Sequence, residues 1–334
     1  MSSLHSFKLS EARRYHPYNT RTIARTRSES LPTVSTLPPT VPSTLTPPKP
    51  NRLRITELQF EKARNQLLNQ PSSGPVTLAQ GISLEVYSKY LSSHEDLPVR
   101  TRLMDGNVEA YELPLDPHTN VTGRIISMIG GWDIVGDLCI GTDLEMVVGV
   151  DSMLMCDCYV RPWRRPRPPQ GQGANSLGTP YPTVVVKVAA TQSLNDAHAK
   201  VADWFSPRTT IQLCLVIKIW ELRQDNTIAM AALLYRRQDP NPLVPVSAIS
   251  FGTARITGPA LQTMQGIIGG PNLVNGVGYG GVPCDAPGIP MYQLNLPAVD
   301  IYNGDPQGIP AGNVLGFNLD LWVVQLWAWR SFSL

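Results

Sequence analysis

The chain has 334 residues and a formal net charge of +2, and 42% of its residues are hydrophobic whereas only 16% are charged. This composition excludes a coiled coil or a solvating tail as the whole protein, and it suffices for one apolar core of ordinary size. No window approaches about 18 consecutive apolar residues and no hydrophobic leader is apparent, so an intracellular protein of the cytoplasm or nucleus is expected. The five Cys residues show no paired spacing, which favours a reduced compartment.

The first 50 residues differ from the rest in charge and composition. They contain seven basic and two acidic residues, a net charge of +5, which leaves 21 basic and 24 acidic residues for the rest of the chain. Residues 31–50 alone hold seven Pro and seven Ser or Thr. Such a segment cannot bury enough apolar surface to offset its ordering entropy. Residues 1–50 are therefore interpreted as a disordered tail, basic at first and then rich in Ser, Thr and Pro.

The next part of the chain combines helices with one hairpin. Segment 51–79 is assigned as an N-terminal helix and linker, because apolar residues recur there at helical spacing. Asp105-Gly106 is typical of a tight hairpin turn. In chain order the predictions are helices at residues 55–68, 84–91 and 118–132, with a strand–turn–strand unit at residues 101–113.

The centre of the chain is rich in β-branched and apolar runs. Strands are predicted at residues 144–148, 153–160, 183–190 and 211–220, with an amphipathic helix at residues 193–205. The order strand, helix, strand at the end of this region requires a crossover, which is typical of an α/β sheet. We therefore expect an α/β (α+β) fold with a mixed central sheet flanked by helices, in which strand 153–160 neighbours strand 183–190.

Residues 223–334 are assigned as a β-rich C-terminal extension that packs on the core. Strands are predicted at residues 228–236 and 244–251, whereas residues 257–290 hold many Gly and Pro and show no clear periodicity. The closing segment 317–332 contains three Trp and alternating Leu and Val. It is interpreted as a core or interface strand.

Two groups of motifs give the chain a family resemblance. The first is GISLEVYSKYL at residues 81–91, the hairpin around MDG at 104–106, and Pro117-His118 at the start of a helix. The second is CDCYVRP at 156–162, YPTVVVKVAATQS at 181–193 and IQLCLVIKIW at 211–220. In order and spacing these motifs resemble the restriction endonuclease domain family of the PD-(D/E)XK superfamily, in particular its divergent fungal-type members. The resemblance covers residues 80–222 and implies a restriction-endonuclease-like core there.

The resemblance implies Mg²⁺-dependent hydrolysis of DNA phosphodiesters. A hard divalent cation activates water, stabilises charge on the phosphate and prefers carboxylate oxygens. By position Asp157 matches the metal-binding Asp, Lys187 stands where a Glu is expected, and Ala189 stands where the motif has Lys. Lys200, on the next helix, is the best match for a displaced lysine. The implied catalytic residues are thus Asp157, Lys187 and Lys200, with Mg²⁺ on Asp157 if the site is active and no cofactor otherwise.

The residue at position 187 weakens the catalytic interpretation. An ammonium in place of a carboxylate removes one metal ligand and repels an arriving cation. Asp157 is accordingly either a metal ligand or the partner of Lys187 in an ion pair across two strands. Lys200 is either a functional lysine or part of a solvated helix face, and His118 is interpreted as a surface or capping histidine. The carboxylates that could substitute for the missing ligand are Asp143, Glu145 and Asp151.

A basic loop with an interleaved indole follows the Asp157 strand. It contains Arg161, Trp163, Arg164, Arg165 and Arg167. Guanidinium groups can contact phosphates, and an indole can stack on a base. Because the loop follows so closely on Asp157, it is expected to overhang the site. A solvated loop stiffened by Pro is the alternative.

Three functions remain open from the sequence. The first is a nuclease-fold protein with degraded metal chemistry, which binds nucleic acid or acts structurally. The second is an active Mg²⁺-dependent endonuclease, and the third is a protein-interaction module that uses the Trp-rich C-terminal segment. DNA is the implied partner, no membrane partner is expected, and a homo-oligomer stays open. A steep salt dependence of binding would favour phosphate contacts over an apolar protein interface.

Overall fold

The structure is a computed structural model that describes residues 52–70, 74–94, 96–270 and 273–332. All of them belong to one compact unit, Pro48–Leu334. The tail expected at residues 1–50 lies outside the described residues. The helices are α1 (Glu57–Asn69), α2 (Leu84–Leu91), α3 (Asp116–Trp132), α4 (Leu194–Trp204), α5 (Gly258–Ile268), α6 (Ala298–Ile301) and α7 (Leu321–Arg330).

The strands form one large sheet, one smaller sheet and one hairpin-like pair. They are β1 (Val76–Ala79), β2 (Arg100–Met104), β3 (Asn107–Glu112), β4 (Leu138–Gly141), β5 (Glu145–Gly149), β6 (Ser152–Met155), β7 (Cys158–Pro162), β8 (Val184–Ala189), β9 (Leu213–Ile219), β10 (Ala229–Arg236), β11 (Ser247–Gly252), β12 (Asn275–Val277), β13 (Gly280–Gly281), β14 (Gln293–Leu296) and β15 (Phe317–Asp320). Within the described residues no helix is both long enough and apolar enough to cross a bilayer.

The large sheet has eight strands in the order β13-β12-β11-β10-β9-β8-β7-β4. Its central strands β8 and β9 are parallel, and α4 connects them, as a parallel crossover requires. The alternation along β8 divides the core: Val186 packs on the side of α3 and α7, whereas Val185 packs on the side of α4. The expectation of a mixed central sheet flanked by helices is therefore confirmed.

The small sheet has five strands in the order β1-β3-β2-β6-β5. One side of it packs with α1 and α2, whereas Met146, Val148 and Leu154 on the other side share an apolar core with the large sheet. The single strand predicted at residues 153–160 is wrong, because the chain breaks at Cys156-Asp157. The first half, β6, belongs to the small sheet, and the second half, β7, pairs antiparallel with β8 in the large sheet. Asp157 thus lies at the junction between the two sheets.

The last third of the chain is less β-rich than its sequence indicates. Strands β10 and β11 form as predicted, and they continue the large sheet. Residues 257–290 contain α5, which ends at Gly269 in the left-handed conformation with φ 80°. The predicted strand at residues 317–332 is wrong beyond β15, because the Asp320 carboxylate accepts a hydrogen bond from the Trp322 amide and caps α7. The residues that α7 buries recur at helical spacing: Leu321, Val324, Gln325 and Ala328.

Candidate active site

Asp157 is held by the backbone of the neighbouring strand. Its amide donates to the Val186 carbonyl at 3.1 Å, and its Oδ2 accepts from the Val188 amide at 2.6 Å. The register that pairs Cys158 with Val186 places Lys187 opposite Asp157. The strand break at this point therefore presents a fully buried carboxylate to the middle of β8.

Glu112 and His118 reach the same point from the small sheet and from α3. Glu112 ends β3, and its Oε1 accepts from the Ala190 amide at 3.2 Å. His118 lies in the first turn of α3, directly after Pro117, and its Nε2 is 3.0 Å from Asp157 Oδ1. His118 is only 1% exposed, so the interpretation as a surface or capping histidine is wrong.

The Lys187 side chain connects the two carboxylates. Its Nζ donates to Glu112 Oε2, and it lies 2.9 Å and 3.1 Å from the two carboxylate oxygens of Asp157. Glu112, Asp157 and Lys187 are fully buried. Glu112, His118, Asp157 and Lys187 form the buried quartet, a closed network in which both carboxylates share one ammonium.

The charges of the buried quartet stabilise one another. Burial by itself raises the pKa of Asp157, but Lys187, His118 and Arg100 outweigh this effect and hold that pKa below its ordinary value. Burial likewise lowers the pKa of Lys187, whereas Asp157 and Glu112 together raise it above its ordinary value. Both groups are therefore charged at neutral pH, as an ion pair.

The quartet offers donor atoms for a metal ion but does not fit Mg²⁺. Glu112, His118 and Asp157 each present a ligand atom, and these atoms lie within 4.8 Å of one another. Mg²⁺ requires near-octahedral coordination by oxygen and usually keeps several waters. Here the Lys187 ammonium already contacts both carboxylates inside a fully buried cluster. A divalent cation would have to displace that side chain.

The carboxylates proposed as substitutes for the missing ligand do not join the quartet. Asp143 pairs at 2.6 Å with Arg100, which itself lies 3.7 Å from Asp157. Asp151 Oδ1 accepts from the Leu84 amide at the start of α2. No ion pair of Glu145 is found within the described parts of the chain. Instead Glu112, which the sequence analysis did not select, supplies the second carboxylate.

Lys200 lies inside the protein rather than on a solvated helix face. It is 1% exposed, and its Nζ stands 3.3 Å from the ring centroid of Tyr111. Burial, Lys187 and Arg102 lower the pKa of Lys200 well below its ordinary value, although Asp196 and Glu112 oppose this shift. Lys200 therefore adjoins the quartet but makes no ion pair with either of its carboxylates.

A third buried lysine, Lys218, was missed in the sequence. The β8–β9 register pairs it with Ala189, the position where the family motif has Lys. Its Nζ donates to the carbonyls of Ala190 and Gln192, both at 2.7 Å. Burial lowers the pKa of Lys218 to about 8, against the opposing effect of Glu112 and Glu221. A signal was present in IQLCLVIKIW, where one lysine interrupts an otherwise apolar strand.

The basic loop does not overhang the quartet, contrary to expectation. Arg161 lies on strand β7, four residues after Asp157. At the rise of an extended strand the two residues are about 13 Å apart. Arg164 is held by Asp137 at 2.7 Å and by Asp305 at 3.4 Å. Arg165 donates to the carbonyls of Tyr181 and Thr210. The remaining members differ: Arg167 and Trp163 are exposed, and Arg161 lies 5.8 Å from the Trp163 ring centroid.

Comparison with known proteins adds a loose structural similarity. No family model matches the chain, and no curated protein matches it in sequence. Among solved structures it is similar to a protein of Anabaena variabilis described as "a putative nuclease belonging to DUF820". The two share 15% sequence identity over 56% of this chain and 98% of that chain, with a TM-score of 0.36. A superposition this loose transfers neither fold nor activity to this chain.

Proposed function

We propose that this chain is a PD-(D/E)XK-type protein whose metal-dependent hydrolysis has been lost and which acts by binding, with nucleic acid as its partner. The observation that carries the proposal is the position of the Lys187 ammonium, in contact with both carboxylates of the site. The motif order of residues 80–222 supports the family part of the proposal, and the loop at residues 161–167 supports the binding part.

Loss of hydrolysis follows from electrostatics. A nuclease metal needs carboxylates whose negative charge is available to it. In this site Asp157 already faces Lys187 and His118, with Arg100 at 3.7 Å. Two unit charges 4 Å apart interact by about 4 kcal/mol at an effective dielectric constant of 20, so an arriving dication would meet strong repulsion from Lys187.

Binding through the basic loop rests on the side chains that remain accessible. Trp163 is 57% exposed, so its ring is accessible for stacking on a base. Arg161 and Arg167 flank it in sequence. Proteins that bind single-stranded nucleic acids commonly combine basic side chains with an aromatic ring on which bases stack. The Trp-rich segment is less suited to a protein interface. Helix α7 packs on α3, where Arg124 lies 5.8 Å from the Trp327 ring centroid.

Wild-type protein is expected neither to bind Mg²⁺ nor to cleave DNA. Isothermal titration with Mg²⁺ or Mn²⁺ should give no saturable heat at millimolar concentration, and supercoiled plasmid should remain intact with either metal. Asp157→Asn, purified identically, controls for contaminating nuclease. Plasmid nicking that EDTA stops and that Asp157→Asn lacks would overturn the proposal.

The double change Arg161→Ala with Arg167→Ala should weaken nucleic-acid binding and flatten its salt dependence. Removing two phosphate contacts lowers the slope of log K against log salt by up to about 1.4 for a single strand and about 1.8 for duplex DNA. Fluorescence anisotropy of a labelled oligonucleotide, at several salt concentrations, measures this slope. Arg164→Ala is the matched control from the same loop, because its guanidinium is held by Asp137 and Asp305. An unchanged slope in the double variant would assign the loop to a solvated role.

A further inference from the structure

A cavity of about 880 Å³ adjoins the buried quartet but contains none of its four residues. It opens at the carboxyl ends of the parallel strands β8 and β9, beside the first turns of α4 and α5. The crevice outside the carboxyl ends of parallel strands is where open α/β sheets bind ligands. A volume of this size suits a small molecule.

The walls of the cavity are largely apolar. They come from six helices and strands and from the C-terminal segment after α7, so the cavity is assembled by the tertiary fold rather than by one loop. The principal apolar lining residues are Leu115, Leu194, Trp220, Ile256, Ala260 and Phe332. A ligand that fills this space therefore needs an apolar body.

Lys218 is the buried cationic residue of the lining, which also includes Arg223, whose guanidinium donates to the Arg255 carbonyl. The Lys218 side chain lines the cavity although the residue is only 6% exposed. Two of its N–H groups bind the carbonyls of Ala190 and Gln192, and these are its hydrogen bonds within the described residues. An ammonium carries three N–H groups, so one remains for another acceptor. No carboxylate of the described chain lies within ion-pair distance of it, whereas buried charges are ordinarily paired.

The surroundings favour an anion at this position. Asp196 also lines the cavity, but Arg102 neutralises it at 2.8 Å. Helix α5 begins at the cavity without a side-chain cap and without an acidic residue in its first turn, so its amide groups add partial positive charge. Glu221, also in the lining, is exposed to solvent, where its charge is screened.

We propose that this cavity is a binding site for a small molecule with an apolar body and a single carboxylate head, and that the head pairs with Lys218. The site extends beyond the function proposed above. It requires neither a metal in the quartet nor nucleic acid on the basic loop, so the two proposals can fail independently.

The test compares decanoate with decan-1-ol, two probes that share an apolar chain and differ in the charge of the head. Isothermal titration of the full chain should show saturable binding of decanoate. Lys218→Met should lower the affinity for decanoate by about tenfold or more, as expected for the loss of one charge-assisted hydrogen bond. The affinity for decan-1-ol should stay within about twofold of the wild-type value. Lys218→Arg, which keeps the charge, should retain most of the affinity.

A second pair of variants probes the apolar walls without touching Lys218. Thr263 lines the cavity from α5, whereas its neighbour Gln262 is exposed and does not. Thr263→Trp should fill the space and abolish binding of both probes, and Gln262→Trp should change neither. Equal decanoate affinity in wild type and Lys218→Met, equal affinity in the two Trp variants, or no saturable wild-type binding at millimolar decanoate would each overturn the proposal. If Lys218→Met does not fold, the two Trp variants decide.

Discussion

Lys187→Met is expected to destabilise the protein by about 3–5 kcal/mol, because it leaves two buried carboxylates without their shared cation. Asp157 and Glu112 have no exposed surface through which water could replace the ammonium. Urea denaturation at pH 7 measures the free energy of unfolding. Lys62→Met is the control, because Lys62 is exposed on α1 and its replacement should stay within about 0.5 kcal/mol of wild type.

The pH dependence distinguishes an ion-pair loss from a simple packing defect. The depressed pKa of Asp157 stabilises the fold above the unfolded value of about 3.9, and this contribution is lost as the pH falls. The raised pKa of Lys187 stabilises the fold below the unfolded value of about 10.4, and this contribution is lost as the pH rises through the folded value. The pair therefore contributes fully between about pH 4 and pH 10.

In Lys187→Met the Asp157 carboxylate loses the partner that most favours its charged form, so it takes up a proton more readily in the folded state. The deficit in stability relative to wild type should accordingly be largest at pH 7–8 and shrink towards pH 4. A deficit that is constant over this range would instead indicate a cavity or a shape defect at position 187.

Lys187→Glu is expected to convert the quartet into a metal-dependent centre. Three carboxylates and His118 would then share the space that the ammonium occupies, which suits a divalent cation and destabilises the metal-free protein. At a metal concentration of 100 times Kd, binding stabilises the folded state by about 2.7 kcal/mol, a rise in Tm of about 5 °C. Thermal unfolding with Mg²⁺, Mn²⁺ or EDTA measures this rise, and plasmid nicking tests for cleavage.

The controls for this conversion lie in the same cluster. Wild type should show no metal-dependent rise in Tm, and Asp157→Asn in the Lys187→Glu background should remove the rise. If Lys187→Glu folds and its Tm is insensitive to both metals, position 187 is not what prevents metal binding. Arg100, the remaining cation 3.7 Å from Asp157, would then be the next position to change.

The sequence predicts local structure well where one periodicity dominates. The hairpin at Asp105-Gly106 and the helix after Ser193 form as expected, because turn chemistry and a capping side chain fix their ends. The sequence of α7 favours a strand because Leu and Val alternate in part of the run, and the Asp320 side chain caps it as a helix instead. The break at Cys156-Asp157 was also missed, since both halves are apolar and only the tertiary structure assigns them to different sheets.

The sequence predicts two of the four residues of the buried quartet. The pairing of Asp157 with Lys187 followed from two strands of matched register, and the structure places these side chains in contact. Glu112 and His118 were not selected, because their approach depends on how β3 and α3 pack on the large sheet. Burial is also a tertiary property: the apolar run around Lys218 hints at it in sequence, whereas the burial of Lys200 depends on how α4 packs.

The residues of the buried quartet come from both sheets of the fold. Glu112 belongs to the small sheet and Lys187 to the large one, while Asp157 occupies the peptide link that passes between them. These charges therefore join the two sheets, which also share an apolar core that includes Met146 and Leu154 from the small sheet and Val185 from the large one. Sliding of one layer against the other would have to separate opposite charges away from water. The ion pairs consequently hold the two sheets together, so that they should unfold as one cooperative unit. They do so at the position where a nuclease would need space for metal and water.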